Sequence, residues 1–150
     1  MHEIKRTNEI DIESYIRNSK DIIIMVMSSY SQEDRLGTYT CLMLYQGYKK
    51  IITNVLQDMS SANLTTLLGV LEAVKHINLT NVNVCIISYI ALGFQDVKKG
   101  NGLYVNDVTA ILKEIVSQGN TLSSLVVPDG KEIIKRIIME NNKDWAQPNQ

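Results

Sequence analysis

The feature that most constrains the fold is one apolar run near the start of the chain. Residues 21–29, DIIIMVMSS, are almost unbroken in apolar side chains, and several of these are β-branched. A strand with one solvated face would alternate apolar and polar residues, so this run is typical of a strand that is covered on both faces. It is too short to span a membrane. We therefore expect a sheet with further layers packed on both of its sides.

The rest of the chain predicts alternating strands and helices around that run. From Ser60 the apolar spacing changes to three and four residues, which is typical of one face of a helix, and Ser60 or Ser61 can cap its start. Three meandering strands followed by strand–helix alternation predict a mixed α/β sheet. The predicted elements are a helix at 8–19, a strand at 21–29, a hairpin at 38–59 folded about Gln46-Gly47, a helix at 60–74, a strand at 81–90, a short helix at 91–97, a loop at 98–104, a helix at 105–118 ending before Gly119, a strand at 121–127 and a helix at 131–142.

Length and composition describe one folded domain with a neutral overall charge. The chain has 150 residues, 45% of them hydrophobic, and a formal net charge of -1, which excludes a strongly basic footprint but leaves room for a local basic patch. We divide it into a helical extension at 1–20, the domain at 21–142 and a flexible tail at 143–150. Cys41 and Cys85 lie in apolar runs, which indicates buried free thiols in a reducing, cytoplasmic setting. The sequence predicts neither a signal peptide nor a membrane span.

The order of the elements, together with several local matches, resembles the ribonuclease H fold. GTYTCLMLYQGYKKI is similar to that family's second and third strands, SANLTTLLGVLEAVK to its first long helix, and KKGNGLYVNDVTAILKEI to its lysine–glycine loop and following helix. The resemblance runs from about residue 21 to 142. It implies a five-stranded mixed sheet flanked by helices, with strands one to three antiparallel, strands four and five parallel to strand one, and strand one central.

The resemblance also implies that the family's chemistry is missing. Its enzymes hold two divalent metal ions with four carboxylates, because hard cations need oxygen ligands and charge compensation. The matching positions here are Met27 or Ser28, Asn63, Tyr89 and Lys135, and the family's His-bearing loop is shortened to PDG. These residues are therefore interpreted as degenerate former catalytic positions. We predict a pseudo-enzyme with no catalytic residues, no metal and no cofactor.

Other catalytic arrangements receive little support from the residues. Acids near the predicted cleft, namely Glu33, Asp34, Asp96 and Asp129, are better explained as solvated loop charges than as a relocated metal site. His76 is predicted to interact with the negative end of its helix rather than to act as a base.

Nucleic-acid binding without cleavage remains an alternative. Several cations lie near the predicted hairpin, loop and last helix, and they would contact phosphates of an RNA–DNA hybrid or of double-stranded RNA. These candidate contacts are Lys49, Lys50, Lys98, Lys99, Lys131, Lys135 and Arg136.

The preferred hypothesis is a protein-interaction module. The predicted third strand, KKIITNVLQ, would lie at a sheet edge, where self-association or a partner's strand could add to it. An Ile-, Asn- and Lys-rich composition suggests a phage, plasmid or other mobile-element accessory or inhibitor protein. The residues predicted to form the core are Ile23, Val26, Leu64, Leu68, Leu71, Ile86 and Leu125.

Overall fold

The computed structural model describes residues 2–6, 10–94 and 104–146, with side chains described for 12–94 and 104–142. It contains six strands and four helices within these ranges. The strands are β1 (His2–Arg6), β2 (Ile22–Ser31), β3 (Leu36–Tyr45), β4 (Tyr48–Leu56), β5 (Asn83–Ser88) and β6 (Thr121–Val126). The helices are α1 (Ile10–Asn18), α2 (Ala62–Lys75), α3 (Val105–Ser117) and α4 (Lys131–Ala146).

The strands form one mixed sheet in the order β1-β6-β5-β2-β3-β4. β2 is antiparallel to β3 and parallel to β5, while β4 is antiparallel to β3 and β6 is parallel to β5. The predicted α/β class and the arrangement of the five predicted strands, with the first of them central, are confirmed.

A sixth strand, β1, was not predicted. It pairs in parallel with β6 at the sheet edge and precedes α1, in a segment that the sequence indicated to be a helical extension. β1 is five residues long and four of them are polar, HEIKR, so its pattern alone does not indicate a strand. The open edge of β6 supplies the pairing, which is a tertiary effect that local sequence does not carry.

Helices cover both faces of the sheet, as the apolar run in β2 predicted. Ile22, Ile24 and Val26 pack into a core with α2 and α3, and this surface is called the first face. Ile23 and Met25 point the other way and pack with α1 and α4 on the second face. Successive residues of a strand alternate between faces, so both sets must be apolar.

The buried face of α2 differs from the prediction. Ile23, Val26, Ile86 and Leu125 are buried as expected, whereas Leu64, Leu68 and Leu71 are only partly buried. The buried residues of α2 are Thr65, Thr66, Leu67, Gly69, Val70, Ala73 and Val74.

The cause is the close approach of α2 to the sheet through small residues. A Cβ atom added at Gly69 would lie 2.7 Å from the ring of Tyr39 on β3. The hydrogen of glycine therefore lets the helix axis come nearer to β3 than a leucine would allow. The larger side chains of Leu64, Leu68 and Leu71 therefore lie beside this contact and are only partly buried.

The ends of the helices follow local chemistry. The Ser61 hydroxyl accepts a hydrogen bond from the Leu64 N–H at 3.0 Å and caps α2, in agreement with one of the two predicted caps. α3 ends before Gly119, which has a φ of 79°. α4 continues to Ala146, four residues into the predicted tail, and residues 147–150 lie outside the described ranges. None of the described helices is both long and apolar enough to cross a membrane.

Candidate functional site

The first candidate site lies at the carboxyl ends of β2 and β5, the two parallel strands at the centre of the sheet. Their pairing runs from Ile22↔Val84 to Met25↔Ile87. Ligands of open α/β sheets bind in the crevice beyond such strand ends, where neighbouring connections leave in different directions. The degenerate positions Ser28 and Tyr89 both follow the last paired residues. This end of the sheet is therefore where the resemblance would place an active site.

Three hydroxyl groups occupy that crevice. The Tyr89 hydroxyl donates to the Ser28 carbonyl oxygen and accepts from the Ser28 N–H, both at 3.3 Å. The Ser28 and Thr66 hydroxyl oxygens are 2.6 Å apart, and Thr66 donates its proton to the Ala62 carbonyl at 2.9 Å. Because the Thr66 proton is used in α2, Ser28 is the donor in the Ser28–Thr66 bond. The network ties α2 to the centre of the sheet.

The remaining degenerate positions lie around this network. Met27 points to the second face and packs against its core. Asn63 is partly exposed in the first turn of α2, and Lys135 is exposed on α4. In the contacts described, Thr66 rather than Asn63 is the α2 residue that reaches Ser28. Likewise Lys131 rather than Lys135 reaches Tyr89, with its ammonium 5.8 Å from the ring centroid.

Both differences are offsets of about one helical turn. Thr66 follows Asn63 by three residues, and Lys131 precedes Lys135 by four. Matching motif letters in a sequence identifies the helix but not which of its turns faces the strand. The sequence feature that could have identified Thr66 is its polar hydroxyl on a largely apolar helical face.

The acids near the crevice do not form a metal site in the described ranges. No group of three His, Cys, Asp or Glu side chains there is arranged to hold a metal ion. Asp34 accepts a hydrogen bond from the Ser31 hydroxyl at 3.3 Å in an exposed turn, and Glu33 and Asp129 are exposed. Asp96 lies outside the described ranges. Each buried side-chain nitrogen or oxygen in the described part of the chain has a hydrogen-bond partner.

The predicted basic contacts that lie in the described part of the chain do not form a single patch. Lys98 and Lys99 lie outside the described ranges. Lys49 and Lys50 are neighbours on β4 and leave it on opposite faces. Arg136 pairs with Glu13 of α1 at 2.9 Å. Lys131 and Lys135 are exposed on α4.

A pocket of about 430 Å³ lies between the β3–β4 hairpin and the end of α2. Lys50 and His76 lie on its wall, with the Lys50 Nζ 2.9 Å from the His76 Nδ1. His76 is the C-terminal cap of α2 and its Nε2 is 3.2 Å from a Glu72 carboxylate oxygen. A cation at the negative end of a helix stabilises that end, so the placement of the Lys50 ammonium beside the last turn of α2 has a structural explanation.

The second candidate site is the outer edge of β4, which pairs with β3 on one side and with no described strand on the other. Thr53 donates its hydroxyl to the Tyr39 carbonyl at 2.9 Å, so that carbonyl points toward β4. Tyr39 lies opposite Asn54 in the ladder, and Asn54 therefore turns its backbone groups inward. Thr53 and Val55 consequently turn theirs outward.

The side chains along this edge are apolar or neutral where the strand is open. Residues 51–56, IITNVL, carry no charge and four of the six are β-branched. Val55 is 56% exposed, and its N–H donates to the side-chain oxygen of Asn54 at 2.9 Å instead of to a strand. An uncharged strand edge of this kind is a template for pairing with another chain.

Comparison with known proteins adds no functional assignment to these two sites. No protein-family model matches the sequence, and a search of the curated proteins finds no significant match. The sites are therefore interpreted from their own geometry and chemistry.

Proposed function

We propose that the protein is a non-catalytic ribonuclease H-like pseudo-enzyme that acts as a protein-interaction module through the edge of β4. The observation that carries the proposal is the open, uncharged stretch 51–56, in which Val55 is exposed. A partner strand that adds to this edge would gain main-chain hydrogen bonds and would cover Val55.

The ribonuclease H-like part of the proposal is supported by topology. A central first strand with an antiparallel hairpin on one side and two parallel strands on the other is the order that the resemblance implies. The helices also follow the expected sequence along the domain. A fold alone does not specify activity, so the functional argument rests on the two sites.

The non-catalytic part is supported by the chemistry of the crevice. Tyr89, Ser28 and Thr66 hold one another by hydrogen bonds, and Ser28 and Tyr89 are two of the positions where the resemblance implies carboxylates. Neutral hydroxyls that already bond to the backbone and to one another are poor ligands for two hard divalent ions. Millimolar Mg²⁺ or Mn²⁺ should neither raise the melting temperature nor support cleavage of an RNA–DNA hybrid, because an ion that binds only the native state must stabilise it.

A pair of matched substitutions tests the interaction surface. Val55→Lys places a charge on the open edge of β4, whereas Val116→Lys places the same charge on α3, where Val116 is 64% exposed. Proteins captured from the source cell by the wild type should be purified and their affinities measured by calorimetry. Val55→Lys should weaken binding at least tenfold, and Val116→Lys should leave it unchanged. Equal binding by all three proteins would reject the β4 edge as the interface.

A nucleic-acid-binding function is the second candidate, and Lys131 favours it. Its ammonium lies 5.8 Å from the centroid of the Tyr89 ring, with Lys135 one turn further along α4. This cationic face would contact an RNA–DNA hybrid or double-stranded RNA without cutting it. Filter binding at low and high salt should then give a steep salt dependence that Lys131→Gln reduces, since each phosphate contact releases counterions. Weak, salt-insensitive retention would reject this function.

The biological setting follows only from composition. An Ile-, Asn- and Lys-rich chain fits an accessory or inhibitor protein of a phage, plasmid or other mobile element, acting in the cytoplasm. Expression of the protein inside a host cell, followed by recovery of a host nuclease or replication protein in a Val55-dependent complex, would support this assignment.

A further inference from the structure

We infer that the pocket between the β3–β4 hairpin and the end of α2 binds a small aromatic carboxylic acid. The pocket lies at the start of β4, beside Tyr48 and Lys50, whereas Val55 lies near the other end of the strand. A ligand bound here is therefore independent of the proposed interaction along the β4 edge. Shape, charge and hydrogen bonding at the pocket each point to the same class of ligand.

The walls of the pocket come from two separate parts of the chain. One wall is the turn end of the hairpin, where Tyr45 lies opposite Tyr48. Two residues further from the turn, Met43 lies opposite Lys50, and Met43 and Tyr45 both belong to the first face. The other wall is the segment 76–79, which follows the last turn of α2. The cavity between them has a volume of about 430 Å³, within the range of about 300–1,000 Å³ that small-molecule sites occupy.

The rim of the pocket is apolar and exposed. Tyr48 is 66% exposed and Leu79 is 37% exposed, and both side chains line the pocket. Exposed apolar side chains grouped beside a cavity indicate a binding surface, because a ligand that covers them removes apolar area from water. Tyr45 and Tyr48 are cross-strand neighbours, so they offer phenol rings against which a flat aromatic ring can pack. The shape therefore favours an aromatic body for the ligand.

The charge of the pocket favours one negative charge on that ligand. Among the described residues that line the pocket, Lys50 is the lysine, and none is an arginine, aspartate or glutamate. An anionic group on the ligand therefore gives charge complementarity. A carboxylate supplies a single negative charge and two acceptor oxygens, whereas a phosphate group brings more charge than one ammonium balances.

Hydrogen bonds hold the Lys50 ammonium at the pocket wall. The Lys50 Nζ lies 2.9 Å from Nδ1 of His76, and Nε2 of His76 lies 3.2 Å from a carboxylate oxygen of Glu72. An ammonium only donates, so Nδ1 is the acceptor and the ring proton lies on Nε2, which donates to Glu72. An ammonium has three N–H groups, so the bond to the imidazole leaves donor capacity for a ligand oxygen. Lys50 is thus placed to bind an anion while it keeps its bond to His76.

The end of α2 does not require these donors. The Ala73 carbonyl accepts from the His76 N–H at 3.0 Å, and the Val74 carbonyl accepts from the Ile77 N–H at 3.1 Å. The helix dipole explains why a cation lies at this end, but it does not explain the exposed apolar rim beside it. An aromatic acid accounts for both features, since its carboxylate would form charge-assisted hydrogen bonds to Lys50 while its ring covers the rim.

Calorimetry with three matched probes tests the ligand class. Phenylacetate carries the ring and the charge, phenylacetamide carries the ring alone, and acetate carries the charge alone. Phenylacetate should bind the full chain with a Kd of about 1 mM or below, at least about tenfold tighter than either other probe. Equal affinities for phenylacetate and either other probe, or no binding of phenylacetate at about 10 mM, would overturn the inference.

Two lysines near the end of α2 provide a matched pair of variants. Lys50→Gln removes the cation of the pocket, whereas Lys75→Gln removes an exposed cation from the last turn of the helix, outside the pocket lining. Lys50→Gln should weaken phenylacetate binding at least about tenfold, and Lys75→Gln should leave it unchanged, because exposed charges act weakly through solvent. Equal losses in the two variants would overturn the assignment to Lys50. Tyr48→Ser should weaken binding of both phenyl probes, and an unchanged affinity would overturn the packing of the ring on the rim.

Nuclear magnetic resonance of the wild-type chain locates the ligand without any substitution. Phenylacetate should shift the ring signals of Tyr48 and His76 and should leave those of Tyr89, which lies at the crevice, in place. Shifts at Tyr89 without shifts at Tyr48 would overturn the pocket as the site. A tetrapeptide that ends in a phenylalanine carboxylate provides the last comparison. If this peptide binds at the pocket and phenylacetate does not, the small-acid ligand is overturned in favour of the C-terminus of a partner protein.

Discussion

Two adjacent leucines of α2 provide a direct test of how this helix packs. Leu67 is 1% exposed in the first-face core, whereas Leu68 is only partly buried on the flank of the helix. Replacing a buried leucine with alanine removes its transfer free energy and leaves a cavity, for a usual total of about 2–5 kcal/mol. We expect Leu67→Ala to cost about 3 kcal/mol of unfolding free energy. Leu68→Ala should cost about 1 kcal/mol, because water can fill the vacated volume.

The comparison is well controlled because both variants make the same chemical change in the middle of the same helix. The small difference in helix propensity between leucine and alanine cancels between them. Urea unfolding followed by circular dichroism should give equal slopes and midpoints that differ by the expected 2 kcal/mol or so. A Leu68→Ala variant at least as destabilised as Leu67→Ala would refute the packing and restore the helical face that the sequence indicated.

Three further outcomes follow from the contacts of the sheet. Gly69→Ala should lower stability by about 1 kcal/mol, because a Cβ 2.7 Å from the Tyr39 ring costs more than the roughly 1 kcal/mol gained in helix propensity; a higher melting temperature would contradict this. Tyr89→Phe should cost about 1 kcal/mol in urea unfolding through loss of its two bonds to Ser28, and an unchanged midpoint would contradict this. Burial raises the pKa of the Cys41 thiol from 9.0 to about 12. The stability that the buried neutral thiol contributes is therefore fully present below about pH 9. It is lost at about 1.4 kcal/mol per pH unit as the pH rises toward 12. Urea midpoints measured across that range should fall less steeply for Cys41→Ala, and identical slopes would argue against a buried thiol.

The sheet could be predicted from the sequence because its signals are local and redundant. An apolar run without alternation indicates burial on both faces, and the structure places Ile24 and Met25 of β2 in opposite cores. The Gln46-Gly47 turn is equally local, since both residues have positive φ, a conformation that glycine adopts without strain. These features need no knowledge of distant parts of the chain.

The helix face and the sixth strand could not be predicted, because distant contacts decide them. Leucine spacing in α2 is compatible with two neighbouring faces, and the position of the Tyr39 ring beneath Gly69 selects one of them. β1 becomes a strand through pairing with β6, more than a hundred residues later in the chain. Tertiary contacts of this kind override local pattern in both helices and strands.

The contacts at the crevice depend partly on topology and partly on helix packing. Ser28 and Tyr89 meet at the carboxyl ends of parallel strands, since strand ends are fixed by the topology. The helical residues that join them are offset by a turn, to Thr66 and Lys131. A helix can rotate or slide by one turn with little change in its sequence pattern, so motif matching alone leaves that choice open.

The two edges of the sheet differ in a way that bears on function. The outer strand β1 is short, and polar or charged residues make up four of its five positions, a composition that discourages pairing with another chain. β4 is nine residues long, its two lysines lie together near one end, and the stretch from Ile51 to Leu56 is uncharged. Within the described ranges, only the hydrogen bond from the Val55 N–H to Asn54 is seen to occupy an outward backbone group there. A side-chain amide can rotate away at small cost, whereas a charged or proline-bearing edge cannot be opened so easily. The bonded hydroxyls that fill the central crevice and the uncharged edge of β4 together support the proposal that recognition takes place at β4.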